Sequence, residues 1–399
     1  MPDGSLLVTN IGELSTNVAD DGVLPDCAVA ITDGTIRWVG PADEVPDDFD
    51  EVPVADVEGR AVVPGFVDPH THAVFAGDRA AEFAMRMEGA SYEELLAAGG
   101  GILSTVEATR QASMVDLIAA SMPRLNRMIS AGTTTVEVKT GYGLDVATEV
   151  GMAATIGALD MSLPIDIVPT FLGAHVVAPE FRDRRDEYVS LVAGDMLDAI
   201  ADQVSFVDVF CDDAAFSVDE TRSICEAAKD KGLGVRLHAD QLSHSGGTAL
   251  AAELQAASVD HCDHATDEDL AKAVEAGVVV VLLPGVSYSM RDRYPDGRRF
   301  LDAGATVALA TDCNPGTSYI ETMPFVISLA VVNCGFTPAE ALWSATRGGA
   351  LSLGLDDRGI VQPGTLGDLV VLDAPSHTHL AYRPDGGLVA ATIKRGNLL

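Results

Sequence analysis

Two histidines, His70 and His72, stand one residue apart directly behind the apolar stretch VVPGFVDP. Residues i and i+2 of a β-strand point to the same side, so both imidazoles can face one point. Imidazoles are common ligands of zinc and other transition metals. The spacing therefore predicts a metal site whose remaining ligands lie elsewhere in the chain.

The elements that would position this pair show a repeating pattern of strand and helix. Short runs rich in β-branched residues alternate with segments whose apolar residues recur every three or four positions and often end in glycine. The runs cover residues 63–69, 133–139, 165–172, 204–211, 233–239, 258–261, 278–284 and 306–312. Eight such units over about 250 residues are typical of a (β/α)8 barrel.

The two ends of the chain have a different pattern, because residues 1–62 and 357–399 contain short strands separated by turn residues. An all-β start and an all-β end around one barrel suggest that the termini pair with each other. We therefore predict an α/β protein, with a TIM-like catalytic barrel over residues 63–356 and one small β-sandwich built from both termini.

Polar residues collect at the carboxyl ends of the predicted barrel strands, where barrels of this kind hold their active sites. Five of the nine histidines fall there, with a tyrosine and an aspartate. These residues are His70, His72, Tyr142, His175, His238, His261 and Asp312. A single histidine in such a place is usually structural, but five on one rim favour a functional site.

Three imidazoles and one carboxylate form the predicted metal-binding set, which consists of His70, His72, His238 and Asp312. This donor set suits zinc or iron and leaves room for water. Such an ion lowers the pKa of bound water to about 7, which favours hydrolysis. Lys139 has two interpretations, a modified ligand of a second metal or, as we favour, a structural lysine.

The composition excludes several classes of partner. Acidic residues outnumber basic residues 60 to 25, which gives a net charge of −35, while 47% of the residues are hydrophobic. These values indicate a folded protein with an acidic surface that repels nucleic acid and anionic membranes. Such a surface stays hydrated in concentrated salt, so a halophilic source is our hypothesis.

Targeting and cysteine patterns bear on the compartment. The stretch MPDGSLLVTNIGELSTN lacks the basic start and apolar core of a secretory signal, and no uncharged apolar run reaches about 18 residues. The six cysteines are scattered without a C-x-x-C motif, which predicts free thiols. We expect a cytoplasmic protein, with a homodimer as the commonest assembly for such an enzyme.

The rim residues and their surroundings resemble the amidohydrolase superfamily, whose first barrel strand carries an H-x-H pair and whose eighth carries an aspartate. Between about residues 60 and 350 the chain is also similar to the imidazolonepropionases, hydrolases of histidine degradation. The segments that carry this similarity are PGFVDPHTHAVFAGDR, EFAMRMEGASYEELLAAGGGILSTV, VEVKTGYGL, TFLGAHVVAPE, VDVFCDDAAF, LHAD and ATDCNPGTS.

The resemblance implies a barrel of the metal-dependent hydrolase type with one Zn²⁺ or Fe³⁺ ion per subunit. It implies hydrolysis of the ring amide of 4-imidazolone-5-propanoate to N-formimidoyl-L-glutamate. The implied metal ligands are the four residues named above, and the implied substrate contacts are Arg79, Tyr142, His175, Gln241, Asn314, Gly316 and Thr317.

Two of these contacts also have a physical basis. The guanidinium of Arg79 can hold a propionate group through two parallel hydrogen bonds, although a surface ion pair is the alternative. Tyr142 lies between Gly141 and Gly143 on a loop that can approach a ligand closely, although a plain turn tyrosine is the alternative. The triplet Gly99 to Gly101 is either a lid hinge or an ordinary loop.

Gln241 is a departure from the family, whose members commonly have H-A-D-E where this chain has HADQ. Glutamine keeps the hydrogen-bonding reach of glutamate but cannot act as a general base. If Gln241 orients the ring, the exchange is tolerated, and proton transfer falls to Asp312 or His261. We expect His261 to help stabilise the oxyanion as well.

Two alternatives remain open from the sequence. One is another cyclic-amide hydrolase or aminohydrolase of the same superfamily, such as a hydantoinase or a guanine deaminase. The other is a catalytically silent barrel that acts as an assembly protein. Arg79 favours a substrate that bears a carboxylate, and the presence of all four ligands argues against a silent barrel.

Overall fold

A computed structural model of the chain describes residues 4–18, 22–90, 94, 99–213, 215–384 and 387–399. Its strands form two sheets of eight strands each. In chain order they are β1 (Leu6–Ser15), β2 (Val23–Thr32), β3 (Thr35–Pro41), β4 (Val54–Asp56), β5 (Ala61–Pro64), β6 (Phe66–Asp68), β7 (Thr133–Lys139), β8 (Asp166–Ala174), β9 (Phe206–Cys211), β10 (Gly234–Ala239), β11 (Ser258–His261), β12 (Val279–Leu282), β13 (Val307–Leu309), β14 (Leu369–Leu372), β15 (Val389–Lys394) and β16 (Asn397–Leu398).

Helices connect the strands of the second sheet and follow it. The α-helices are Ala80–Met87, Ile102–Gln111, Met114–Ser130, Val146–Ser162, Arg185–Leu191, Leu197–Ile200, Val218–Asp230, Gly247–Glu253, Asp267–Glu275, Pro284–Met290, Gly297–Asp302, Met323–Asn333, Pro338–Trp343, Gly349–Ser352 and His379–Tyr382. Short 3-10 or π turns cover Ala42–Glu44, Asp47–Phe49, Pro179–Phe181, Val192–Met196, Ala201–Gln203 and Ser344–Gly348.

Local sequence explains where several helices begin. Ser113, Ser217, Thr266 and Thr337 each open a helix with a capping box. In this arrangement the hydroxyl accepts a backbone N–H three residues on, and the acidic side chain at that position accepts the N–H of the cap.

Strands β6 to β13 form the predicted barrel, in which each strand is parallel to the next in the chain. The sheet closes just beyond β6 and β13, where the Asp312 N–H donates to the His70 carbonyl at 3.1 Å and the His72 N–H donates to the Cys313 carbonyl at 3.0 Å. Each predicted run overlaps a barrel strand, and the closure joins the ends that carry the candidate ligands. The predicted barrel is confirmed.

The remaining strands come from both termini, as predicted. They form one mixed sheet in which β5 lies between β1 and β14, with its own apolar core that includes Val8, Ile11 and Ile393. The domain boundary at residues 62 and 63 stays a prediction. Strand β5 of this sheet ends at Pro64, and β6 of the barrel begins two residues later.

All six cysteines are buried free thiols, which confirms the prediction from their spacing. In the part of the chain that the structure describes, no helix combines the length and the apolar character that crossing a membrane requires.

Candidate metal centre and substrate pocket

The imidazoles of His70, His72 and His238 converge with the carboxylate of Asp312 at the mouth of the barrel. The Nε2 atoms of His70 and His72 each lie 3.5 Å from Asp312 Oδ1. Nε2 of His238 lies 3.4 Å from Nε2 of His72. All four side chains are at least 96% buried.

These separations fit a metal-binding site. A cation about 2.1 Å from each of four tetrahedral donors sets those donors about 3.4 Å apart. His70 Nε2 is buried and makes no hydrogen bond among the described residues. Burial holds the pKa of His70 and of His72 well below the usual value, which keeps their lone pairs available for a metal. The donor set therefore fits one cation of the zinc or iron class.

Carboxylates orient two of the three imidazoles from behind. His70 Nδ1 donates to Asp260 Oδ2 at 2.6 Å, and His238 Nδ1 donates to Asp208 Oδ1 at 3.0 Å. Each bond leaves Nε2 as the unprotonated nitrogen that faces the centre. Sequence analysis missed both aspartates. The signal for them was a charged residue inside an apolar strand, in VDVF and SVDH.

Lys139 is buried beside these two aspartates. Its Nζ lies 2.8 Å from Glu137 and Asp208 and 3.9 Å from Asp260. Burial alone would lower the pKa of Lys139, but the carboxylates of Asp208 and Glu137 raise it, so the ammonium stays charged. A carbamate at this position would face three carboxylates. This surrounding supports the structural interpretation of Lys139.

His261, at the end of β11, and Asp312, three residues after β13, adopt an uncommon backbone conformation. Their φ angles are +77° and +50°, values that non-glycine residues rarely adopt. The His261 ring lies 5.3 Å from the ring of His238 and 5.6 Å from that of His70. The structure thus brings His261 to the centre, where it can donate to a reacting oxygen or join the ligands.

Burial also affects the acid–base groups of the centre. It raises the pKa of Asp312 to about 7, and it lowers the pKa of His261 well below the usual range. A cation beside Asp312 favours the ionised carboxylate and opposes this effect of burial.

A pocket opens above the four candidate ligands, and six of the seven predicted substrate contacts line it. These six are Arg79, Tyr142, His175, Gln241, Asn314 and Thr317. The seventh, Gly316, lies against the Arg79 guanidinium, where a Cβ atom at Gly316 would be 2.2 Å from Arg79 Nη1. Gly316 therefore makes room for the guanidinium.

The loop that carries Tyr142 is held by a buried carboxylate. Glu149 accepts the N–H groups of Gly141, Gly143 and Leu144 at 2.7 to 3.0 Å. His175 Nδ1 donates to the carbonyl of Gly141 at 3.0 Å, so its Nε2 is the ring nitrogen left for a ligand. The Tyr142 loop is therefore a built part of the pocket wall.

Asn314 organises the turn that follows the last barrel strand. Its Oδ1 accepts the N–H groups of Gly316 and Thr317 at 2.8 Å each, and its Nδ2 donates to the Asp312 carbonyl at 2.7 Å. Because these bonds occupy the Asn314 amide, its first role in the structure is to shape this turn.

Gly101, the last residue of the glycine triplet, lines the pocket. Gly99 and Gly101 have φ angles of +82° and +88°, and Gly101 precedes the helix Ile102–Gln111. Most of the preceding predicted helix, in YEELLAAGG, lies outside the described residues. The hinge interpretation stays a prediction.

Comparisons with known proteins agree with this geometry. Residues 61–399 match the model of the amidohydrolase family. An imidazolonepropionase of Salinispora arenicola is 50% identical over 98% of each chain. One of Symbiobacterium thermophilum is 47% identical, over 99% of this chain and 97% of its own.

Two solved structures resemble the chain in fold. A guanine deaminase from C. acetobutylicum has a TM-score of 0.74 at 15% identity, over 99% of this chain and 100% of its own. An atrazine chlorohydrolase from Arthrobacter aurescens complexed with zinc has a TM-score of 0.70 at 18% identity, over 99% and 95%.

Proposed function

The chain belongs to the amidohydrolase family and, within it, to the imidazolonepropionases, and from this premise we propose that it hydrolyses 4-imidazolone-5-propanoate. The product is N-formimidoyl-L-glutamate, formed by opening the ring amide in histidine degradation. The observation that carries the proposal is the convergence of three imidazoles and Asp312 at 3.4 to 3.5 Å beneath a pocket that contains Arg79.

We propose that His70, His72, His238 and Asp312 hold one Zn²⁺ or Fe³⁺ ion per subunit. The supporting facts are the spacing of their donor atoms and the hydrogen bonds behind His70 and His238. When bound, the ion supplies an activated water molecule and polarises the ring carbonyl.

The residues of the chain then handle the proton and the developing charge. The carboxylate of Asp312 takes the proton from the attacking water and returns it to the ring nitrogen that leaves. The imidazole of His261 stands beside the ligands, 5.3 Å from the His238 ring, and donates to the oxyanion.

Loop residues bind and orient the substrate. Arg79 holds the propionate group, while Tyr142 and His175 contact the ring from one side of the pocket. Asn314 and Thr317, from the turn after the last barrel strand, also line the pocket. Gln241 also lines the pocket and orients the ring by hydrogen bonds, since its amide cannot accept a full proton.

An assay with three substrates tests the proposal. Metal-loaded protein in concentrated salt is offered imidazolone propionate, guanine and hydantoin, and the metal content of the same sample is measured. We expect turnover of imidazolone propionate alone, with about one ion per subunit. Turnover of guanine or hydantoin instead would show that the chain has another amidohydrolase activity. Turnover without bound metal would overturn the proposed metal site.

We further propose a cytoplasmic homodimer from a halophilic source. The six buried free thiols suit a reducing compartment, and the net charge of −35 suits concentrated salt. Light scattering together with unfolding curves at low and high salt tests the assembly and the salt requirement.

A further inference from the structure

Arg79 presents only part of its guanidinium to the pocket. Its Nε donates to Glu82 Oε2 at 2.9 Å, and its Nη2 donates to Glu82 Oε1 at 2.6 Å. The Nε–Nη2 edge, which could have held a ligand carboxylate, is thus taken by a carboxylate of the chain itself. The edge formed by Nη1 and Nη2 remains, and Nη1 has no hydrogen-bond partner among the described residues.

Glu82 is itself held in place. Its Oε2 accepts the N–H of Gly101 at 2.8 Å, and only 11% of its side chain is exposed. Burial alone would raise the pKa of Glu82, but hydrogen bonds from Arg79 and Gly101 lower it, so the carboxylate is ionised. Glu82 does not line the pocket, so it lies behind the guanidinium rather than in the path of a ligand.

A second arginine makes the charge around Glu82 positive. Arg86 Nη2 donates to the Gly316 carbonyl at 3.1 Å, and its Nε is buried without a hydrogen bond in the described residues. Gly316 therefore lies between the two arginines. The Arg79 guanidinium lies near its Cα atom, and Arg86 donates to its carbonyl oxygen. The two guanidinium groups and the one carboxylate of Arg79, Arg86 and Glu82 together carry a net charge of +1.

We propose that Glu82 is a positioning residue for carboxylate recognition: it fixes the guanidinium plane of Arg79 so that the Nη1–Nη2 edge faces the propionate of the ligand. Gly101 anchors Glu82, and Gly316 provides the space into which Nη1 projects. The proposal rests on the proposed function for the identity of the ligand. It deepens that function because it assigns the geometry of the clamp to a residue that never touches the substrate.

A simple electrostatic role makes the opposite prediction. If Glu82 only neutralised charge, its replacement by glutamine would raise the local charge from +1 to +2 and strengthen the binding of an anion. If Glu82 positions Arg79, the same change weakens binding. Only the oxygen of an amide accepts hydrogen bonds, so glutamine loses one of the two bonds from the guanidinium.

The experiment compares two probes that share one ring, 3-(imidazol-4-yl)propanoate and its amide. Isothermal titration of the metal-loaded protein gives the ratio of their Kd values, which isolates recognition of the carboxylate. The wild type should prefer the carboxylate. Glu82→Gln should reduce this preference by about 10-fold, and Glu82→Asp, which keeps the charge but loses reach, should also reduce it.

Glu253→Gln is the matched control, since Glu253 pairs with Arg222 at 2.6 Å on the outer surface. It should leave the preference unchanged. An unchanged or larger preference in Glu82→Gln overturns the proposal, as does a wild type with no preference. If Glu82→Gln does not fold, an unchanged preference in Glu82→Asp overturns it.

Turnover separates this proposal from the proposed function. In Glu82→Gln we expect the KM for imidazolone propionate to rise by about 10-fold while kcat stays within about threefold. If the wild type turns over this substrate and both variants keep the wild-type ratio of Kd values, only the role of Glu82 is overturned. If the wild type does not turn over this substrate but the wild type and the variants give the expected Kd ratios, only the proposed reaction is overturned.

Discussion

The metal side and the substrate side of the site are built differently. On the metal side, His70 and His238 lie on or directly after barrel strands, and buried aspartates hold them at 2.6 and 3.0 Å. On the substrate side, Arg79 and Gln241 lie on loops, and the described residues offer no hydrogen bond to the Gln241 side chain. The barrel strands thus position the proposed metal ligands, whereas loops held by Glu82 and Glu149 position the proposed substrate contacts.

The largest expected effect is on the metal side. Asp312→Asn keeps the shape of the side chain but removes the carboxylate that we propose accepts and returns the proton, so kcat should fall by at least about 1,000-fold. The bound metal should fall much less, because three imidazoles remain. Steady-state kinetics and elemental analysis of one sample check both values, and a fully active variant would contradict the role of Asp312.

Asp260→Asn tests whether the aspartates that hold the imidazoles contribute to metal affinity. The change weakens the hydrogen bond that orients His70, so metal affinity should fall by roughly 10- to 100-fold. Competition with a chelator measures this affinity. Asp230→Asn, at the exposed last residue of the helix Val218–Asp230, is the control and should have no effect. Equal metal affinities in the two variants would show that the hydrogen bond from His70 to Asp260 does not contribute to metal binding.

Arg79→Lys moves the test to the substrate side. Lysine keeps the charge but loses the planar fork, so the KM for imidazolone propionate should rise by roughly 10-fold or more. Because the reacting centre is untouched, kcat should change little. A collapse of kcat at constant KM would mean that Arg79 serves the reaction rather than the propionate, and the distinction between the two sides would fail.

The smallest effect is expected for Gln241→Glu. If residue 241 only orients the ring, the kcat/KM of this variant at neutral pH should stay within about threefold of the wild type. The pH profile of kcat/KM checks this expectation. A rate increase together with a new acidic limb in the profile would show that a carboxylate at this position moves protons.

On both sides the sequence predicted the residues that face the pocket better than the residues that support them. The barrel strands were predictable because their runs of β-branched residues are short and regularly spaced. The candidate ligands were predictable because closure of a barrel must bring the end of its first strand, with His70, beside the end of its last, with Asp312.

The supporting residues were not predicted because their partners are distant in the sequence. Asp208 and His238 are 30 residues apart, and His70 and Asp260 are 190 apart, so their pairing depends on which strands become neighbours. The partner of Arg79 was missed for a different reason. Glu82 is only three residues away, but the two side chains meet because of the way the chain enters its helix, which spacing alone does not give.

The most direct test of the account is an anomalous diffraction map of the active protein, recorded at the zinc and iron absorption edges. The account predicts one peak within about 2.4 Å of donor atoms from His70, His72, His238 and Asp312. A peak at another place, or active crystals with no peak among these four residues, would contradict it.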